Sequence, residues 1–185
     1  MGSSVGISKA HNIKELKLAI ALAAKYDERI IVEQSIEQAL EIECAVLGNE
    51  SHKASVLGQI VASNEFYDYN AKYVDGKSQS IVPAPLPKRI SALIQKLSIQ
   101  AFKALDLAGM ARVDFLISRN LKQVFLNEVN TIPGFTSISM YPKLWAASGL
   151  HYSQLLDKLI KLAILRNAAR TRLNTSFKPK DLWYQ

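Results

Sequence analysis

Residues 111–142 read ARVDFLISRNLKQVFLNEVNTIPGFTSISMYP, the densest concentration of acid, amide, guanidinium and glycine-loop chemistry in the chain. Two short runs of β-branched and aromatic residues, 113–117 and 124–129, flank a polar segment, 118–123, that can carry a turn. A turn centred on Leu121 predicts a hairpin in which Asp114 faces Glu128 and Arg112 faces Asn130. Strand side chains alternate, so these four share one face and Val113, Phe115, Phe125 and Val129 take the other. Two carboxylates directly opposed on neighbouring strands repel, and a fold that keeps them there needs a counter-charge. Asp, Glu and Asn offer oxygen ligands only, which suits magnesium bound by a few protein groups and substrate phosphates better than zinc. On spacing alone, a surface hairpin with scattered polar residues stands level with this metal site. The following loop, Asn130-Thr-Ile-Pro-Gly134-Phe-Thr-Ser-Ile-Ser139, favours the site, because glycine and hydroxyl loops present N–H and O–H groups to anions.

The elements that must carry this stretch can be read along the chain. Gly2-Ser-Ser-Val-Gly6 is a small-residue loop whose backbone can approach phosphates. Asn12 and Glu15 form a capping pair for a helix to about Tyr26, and residues 30–32 read as a buried strand. A further strand is expected over 56–61. Pro83, Pro85 and Pro87 make a stiff extended connector. Ile90, Ile94, Leu97, Ala101, Ala104 and Leu105 mark one face of a long helix with Gly109 as its C-cap. Leu155, Leu156, Leu159, Ile160 and Ala163 mark a final packing helix, and residues 174–185 are expected to be poorly ordered.

At 185 residues the chain can bury a real core, and one domain or one and a fraction is expected. Hydrophobic content of 49% and charged content of 21%, with no long apolar run, argue against a membrane or disordered protein. The single cysteine, Cys44, lies in an apolar run and reads as a buried thiol, consistent with a reducing, cytoplasmic setting. No charged-then-apolar leader opens the sequence. The net charge of +7 raises nucleic acid as a partner, yet Lys158, Lys161, Arg166, Arg170, Arg172, Lys178 and Lys180 place much of the excess near the C-terminus, as a solvated helix face and tail would. The histidines show no ligand spacing, and no Ser-His-Asp or Cys-His nucleophile arrangement emerges.

Arg112-Val-Asp114, Asn127-Glu128-Val-Asn130-Thr-Ile-Pro-Gly134-Phe-Thr and Met140-Tyr-Pro resemble the metal and substrate segment of D-alanine–D-alanine ligases, members of the ATP-grasp superfamily. Gly2-Ser-Ser-Val-Gly6, Glu41-Ile-Glu-Cys-Ala-Val-Leu-Gly-Asn49 and Phe66-Tyr-Asp-Tyr-Asn-Ala-Lys72-Tyr73 extend the resemblance over all but the last twenty or so residues. It implies an α+β ATP-grasp C-terminal catalytic domain over 37–185, with a largely antiparallel sheet and flanking helices. Residues 1–36 would be a remnant of the central lobe, with the N-terminal substrate domain absent. The implied activity joins two D-alanines through an acyl phosphate, with ATP and two magnesium or manganese ions, for peptidoglycan synthesis in the cytoplasm.

The resemblance also implies roles. Asp114, Glu128 and Asn130 would hold the metal, and Arg112 and the Gly134 N–H would steady the oxyanion. Ser139 would hold the second substrate's carboxylate. Glu33 and Ile36 would meet the adenine at the hinge, Glu41 the ribose, Phe66 the adenine and Lys72 the phosphates, while Tyr73 would bond Ser3 as a lid closes. Hairpin parity adds Leu116 and Leu126 on the metal-bearing face, an apolar pair suited to a flat adenine ring. The expected partner is D-alanine, with no nucleic acid or membrane and a homodimer for the full-length protein. The isolated chain is expected to be inactive; a non-catalytic nucleotide or metal-binding remnant is the alternative, followed by a basic nucleic-acid-binding module.

Overall fold

A computed structural model of the chain describes residues 4–61, 79–136, 138–174 and 176. Their elements, in order, are α1 (Ile13–Ala23), β1 (Leu40–Gly48), β2 (Lys53–Val61), β3 (Gln79–Ile81), α2 (Lys88–Ala104), β4 (Gly109–Ile117), β5 (Val124–Asn130), α3 (Met140–Ala147) and α4 (Tyr152–Thr171). The strands form one sheet in the order β3-β2-β1-β4-β5, antiparallel at every pairing. This is the expected α+β architecture of an antiparallel sheet with flanking helices.

Period-two alternation gives the sheet two different faces. Ile42, Cys44 and Val46 of β1 and Ala111, Val113, Phe115 and Ile117 of β4 pack with Ile94 and Phe102 of α2 into one core. The alternate residues Ala45 and Leu47 meet Met140, Tyr141, Leu144 and Trp145 of α3 and Leu155 of α4 in a second core. The approach of α3 is close enough to require glycine in β2, since a Cβ on Gly58 would come within 2.9 Å of a Leu144 methyl. Tyr141 fastens α3 to the sheet by donating its hydroxyl to the Val46 carbonyl at 2.9 Å.

Several local expectations hold. Asn12 caps α1 by accepting from the Lys14 and Glu15 N–H groups at 3.1 and 3.0 Å, and Glu15 returns a bond to the His11 N–H at 2.7 Å. The hairpin turn does centre on Leu121, which takes a positive φ of 58°. Its side chain packs against the α2-side core, while the Ser118 and Asn120 side chains accept from the Gln123 and Lys122 N–H groups. Two expectations fail. Residues 30–32 form no strand, with Ile31 81% exposed, because among the described residues no strand lies alongside to pair them. Gly109 is not the C-cap of α2: that helix ends at Ala104, the chain reverses at Asp106 (φ 50°), and Gly109 opens β4.

Candidate active site

The strands β1, β4 and β5 bring the polar residues together as rungs of a ladder. Pairing sets Ala45 opposite Arg112 and Arg112 opposite Asn130. Two residues along, Glu43 lies opposite Asp114 and Asp114 opposite Glu128. The next rung places Glu41 opposite Leu116. By strand alternation all project from the face that carries α3 and α4, where Ala45 is packed against the helices.

The register also corrects the symmetric hairpin. Asp114 pairs with Glu128 as expected, but a bulge follows in which Asn127 is extra, so that Phe115 pairs with Leu126 and Leu116 with Phe125. The cause is the placement of valines on β5. Val124 and Val129 both pack against the α2-side core, and their odd separation is incompatible with strict alternation unless one residue is bulged out. Phe125 thus joins the rung of Leu116, whereas Leu126, 52% exposed, does not.

Arg112 is the hub of the cluster. Its Nε and Nη2 donate to the two Asp114 oxygens at 2.8 and 2.7 Å, a bidentate fork, and Nε lies 3.3 Å from Glu43 Oε2. Asn130 Nδ2 donates to Asp114 Oδ2 at 2.9 Å and to Glu128 Oε1 at 3.1 Å. Burial pushes the Asp114 carboxyl above its usual range, Arg112 opposes this, and Glu128 reinforces it. Burial pulls the Arg112 guanidinium down, but Asp114, Glu43 and Glu128 together hold it above its ordinary value.

Magnesium can be tested against these donors. No group of three or more His, Cys, Asp and Glu side chains arranged for a metal occurs among the described residues. The set is instead two opposed carboxylates and one amide, a hard, all-oxygen set adequate for an ion that also binds substrate phosphates and water. Asn130 bridges the carboxylates through its amide nitrogen, so ligation by its oxygen requires rotation of the amide. With that rotation the residues fit.

The loop after β5 holds itself together next to the cluster. Ser139 Oγ accepts from the Thr136 N–H at 3.0 Å and lies 2.9 Å from Thr136 Oγ1. A Cβ on Gly134 would sit 2.8 Å from Ser139 Oγ, so the two expected substrate-side residues are neighbours. Beside them Phe135, Thr136, Pro142, Lys143, Ala146 and Tyr152 line a cavity of about 390 Å³.

Glu33 is exposed and Ile36 half-buried, in the irregular segment that enters β1. Ser3, Phe66, Lys72 and Tyr73 lie outside the described residues. The residue that sequence reasoning missed is Glu43. It shares parity with Glu41 on β1, but only the pairing of β1 with β4 brings it to Asp114.

Residues 1–161 match the family described as D-ala D-ala ligase C-terminus. The chain belongs to this ligase family. A D-alanine–D-alanine ligase of Thermoanaerobacter sp. (strain X514) is 63% identical over 165 residues, covering 89% of this chain and 46% of that protein. Among solved structures, the ligase from Coxiella burnetii is similar at a TM-score of 0.81 and 41% identity, over 93% of this chain and 45% of that one. A ligase from Bacillus anthracis complexed with ATP is similar at 0.72 and 30% identity, over 87% and 51%. The chain therefore spans about half the length of the curated relatives it matches. No described helix is long and apolar enough to cross a membrane.

Proposed function

We propose that this chain forms the metal- and phosphate-binding half of an ATP-dependent D-alanine–D-alanine ligase. The carrying observation is the Asp114–Glu128 pair, opposed across β4 and β5 and bridged by Asn130, with Arg112 locked beside it. Membership of the ligase family and likeness to an ATP complex support the nucleotide, and D-alanine follows from the relatives.

Asp114, Glu128 and, after rotation, the Asn130 oxygen would hold magnesium. Bound there, the ion would supply neutralisation of negative charge on the nucleotide phosphates. Arg112 supplies a fixed positive charge at the same place, and the Gly134 N–H and Ser139 hydroxyl offer donors for the oxyanion and the second D-alanine's carboxylate. Glu41 would meet the ribose hydroxyls, and Leu116 and Phe125, which pair across the strands, would offer the adenine an apolar rung; Leu126, paired with Phe115, loses the pairing argument that put it there. Glu33 and Ile36 would meet the adenine edge, and Lys72, Phe66, Tyr73 and Ser3 would complete the clamp. Residues 1–36 would belong to the central lobe, and the full-length ligase would work as a cytoplasmic homodimer supplying peptidoglycan precursors.

Phosphoryl transfer depends mostly on positioning and charge neutralisation, so half of the clamp is expected to be insufficient. D-alanine-dependent phosphate release from ATP is measured for this chain alone and for the same chain joined to the N-terminal half of the Thermoanaerobacter relative. The joined protein is expected to turn over and the chain alone is not. Equal rates from both, or no D-alanine dependence in the joined protein, would refute the reading.

A further inference from the structure

The family resemblance gives Glu43 no role, yet it is one of the few buried charged residues, 8% exposed, opposite Asp114 on the adjoining strand. Taking a carboxylate out of water is costly unless a positive partner is near, and Arg112 Nε lies 3.3 Å away. In the structure both oxygens of Asp114 are committed to Arg112, and Oδ2 also takes the Asn130 amide. A carboxylate offers about four acceptor sites and three are taken here, so a cation that turns Asp114 toward itself pulls on the Arg112 fork. If Asp114 were the only anchor, the guanidinium would be released just when its charge is needed, and a misplacement of about 1 Å can cost on the order of a hundredfold in rate.

We propose that Glu43 is a positioning residue that holds the Nε edge of Arg112 independently of Asp114, so that Asp114 can turn to the cation without losing the guanidinium. The arginine fork makes this hand-over possible. Nε–H donates to Asp114 Oδ1 at 2.8 Å, and Glu43 Oε2 lies 3.3 Å from the same nitrogen, near enough to become its acceptor when Asp114 turns away. Arg112 comes from β4 and Glu43 from β1, which are paired without irregularity from Leu40 to Gly48, so the spacing between them is fixed by the ladder. The α2-side core behind them holds both strands in place, with Cys44 and Val113 fully buried between the charged positions.

This inference rests on the proposed role of Asp114, and its test has one arm that does not. In the 185-residue chain, water exchange of the Arg112 Nε–H is followed by ¹⁵N NMR in wild type, Asp114→Asn, Glu43→Gln and the double variant. Asp114→Asn removes the negative charge and one of the two acceptor oxygens that hold Arg112. Exchange is expected to stay slow in either single variant and to reach the free-arginine rate only in the double variant. A free-arginine rate already in Asp114→Asn, or slow exchange surviving in the double variant, overturns the proposal.

The second arm uses the joined ligase. Glu43→Gln should lower kcat about ten- to hundredfold, as expected for a misplaced group, with KM for ATP changed less than about threefold. Glu43→Asp, which keeps the charge but withdraws it by one methylene, should fall between; it decides the matter if Glu43→Gln does not fold. Unchanged kcat in both variants, or a loss confined to KM, contradicts the proposal. If wild-type joined protein shows no ligase activity, the functional reading falls while the exchange measurement still reports on Glu43.

Discussion

The two faces of the central sheet share the same strands and do opposite work. On β1 and β4, Cys44 and Val113 are fully buried against α2, while their chain neighbours Glu43 and Asp114 point the other way into a cluster of charge. One residue of register separates a dry core from a site. The apolar face is what makes the charged face usable, because strands pinned from behind hold the backbones of Glu43, Arg112 and Asp114 in fixed register before any ligand arrives. The charged face gives nothing comparable in return: buried ion pairs seldom outweigh their desolvation.

The largest effect should come from the apolar side. Phe102→Ala removes a fully buried ring at the centre of the α2-side core and is expected to cost about 3–5 kcal/mol in urea unfolding. A loss below about 1 kcal/mol would mean that α2 does not anchor the sheet. Next, Arg112→Ala leaves Asp114 and Glu43 buried without their guanidinium and should cost about 3 kcal/mol. Replacing the buried charges outright, with Arg112→Met, Asp114→Leu and Glu43→Met together, should recover most of that stability while leaving no metal site. A triple variant as unstable as Arg112→Ala would show that the charged face does hold the fold together.

A smaller, purely chemical contrast concerns Cys44. Burial pushes its thiol up to about 11, against weaker opposing hydrogen bonds from Ser98 and Ser55. Iodoacetamide at pH 8 should therefore label the chain only as fast as it unfolds, and labelling of native protein at the rate of a free thiol would contradict the packing. Smallest in stability should be Gly134→Ala. Its Cβ would press on Ser139 Oγ at 2.8 Å in an exposed loop, so the fold should change by less than about 0.5 kcal/mol while kcat of the joined ligase falls. A large loss of stability would make the loop part of the core, not of the site.

What the sequence disclosed follows the same division. The rung of Asp114 and Glu128 was legible because both flanking runs alternate and the turn residues around Leu121 announce themselves. The bulge at Asn127 was not read, although the odd separation of Val124 and Val129 encodes it, because a single-strand pattern does not say which residues must reach the core. Glu43 escaped for a related reason. Its importance arises from the β1–β4 pairing, a contact between segments some seventy residues apart that no local spacing reveals. Residues 30–32 look like a strand by composition, but an extended run becomes one only when a partner satisfies its backbone, and Ile31 and Val32 remain exposed.

The central claim is that Asp114 and Glu128 together hold the cation on which phosphoryl transfer depends. The most direct measurement is D-alanine-dependent phosphate release from ATP as a function of magnesium, in the joined ligase and in its Glu128→Gln variant. Gln keeps the shape of the rung and removes the second negative charge. The account predicts a fall in kcat of about a hundredfold or more, with a higher magnesium requirement and a urea midpoint close to that of the parent. An unchanged magnesium requirement and a parental kcat would contradict it, since the opposed carboxylates would then have no cation to share.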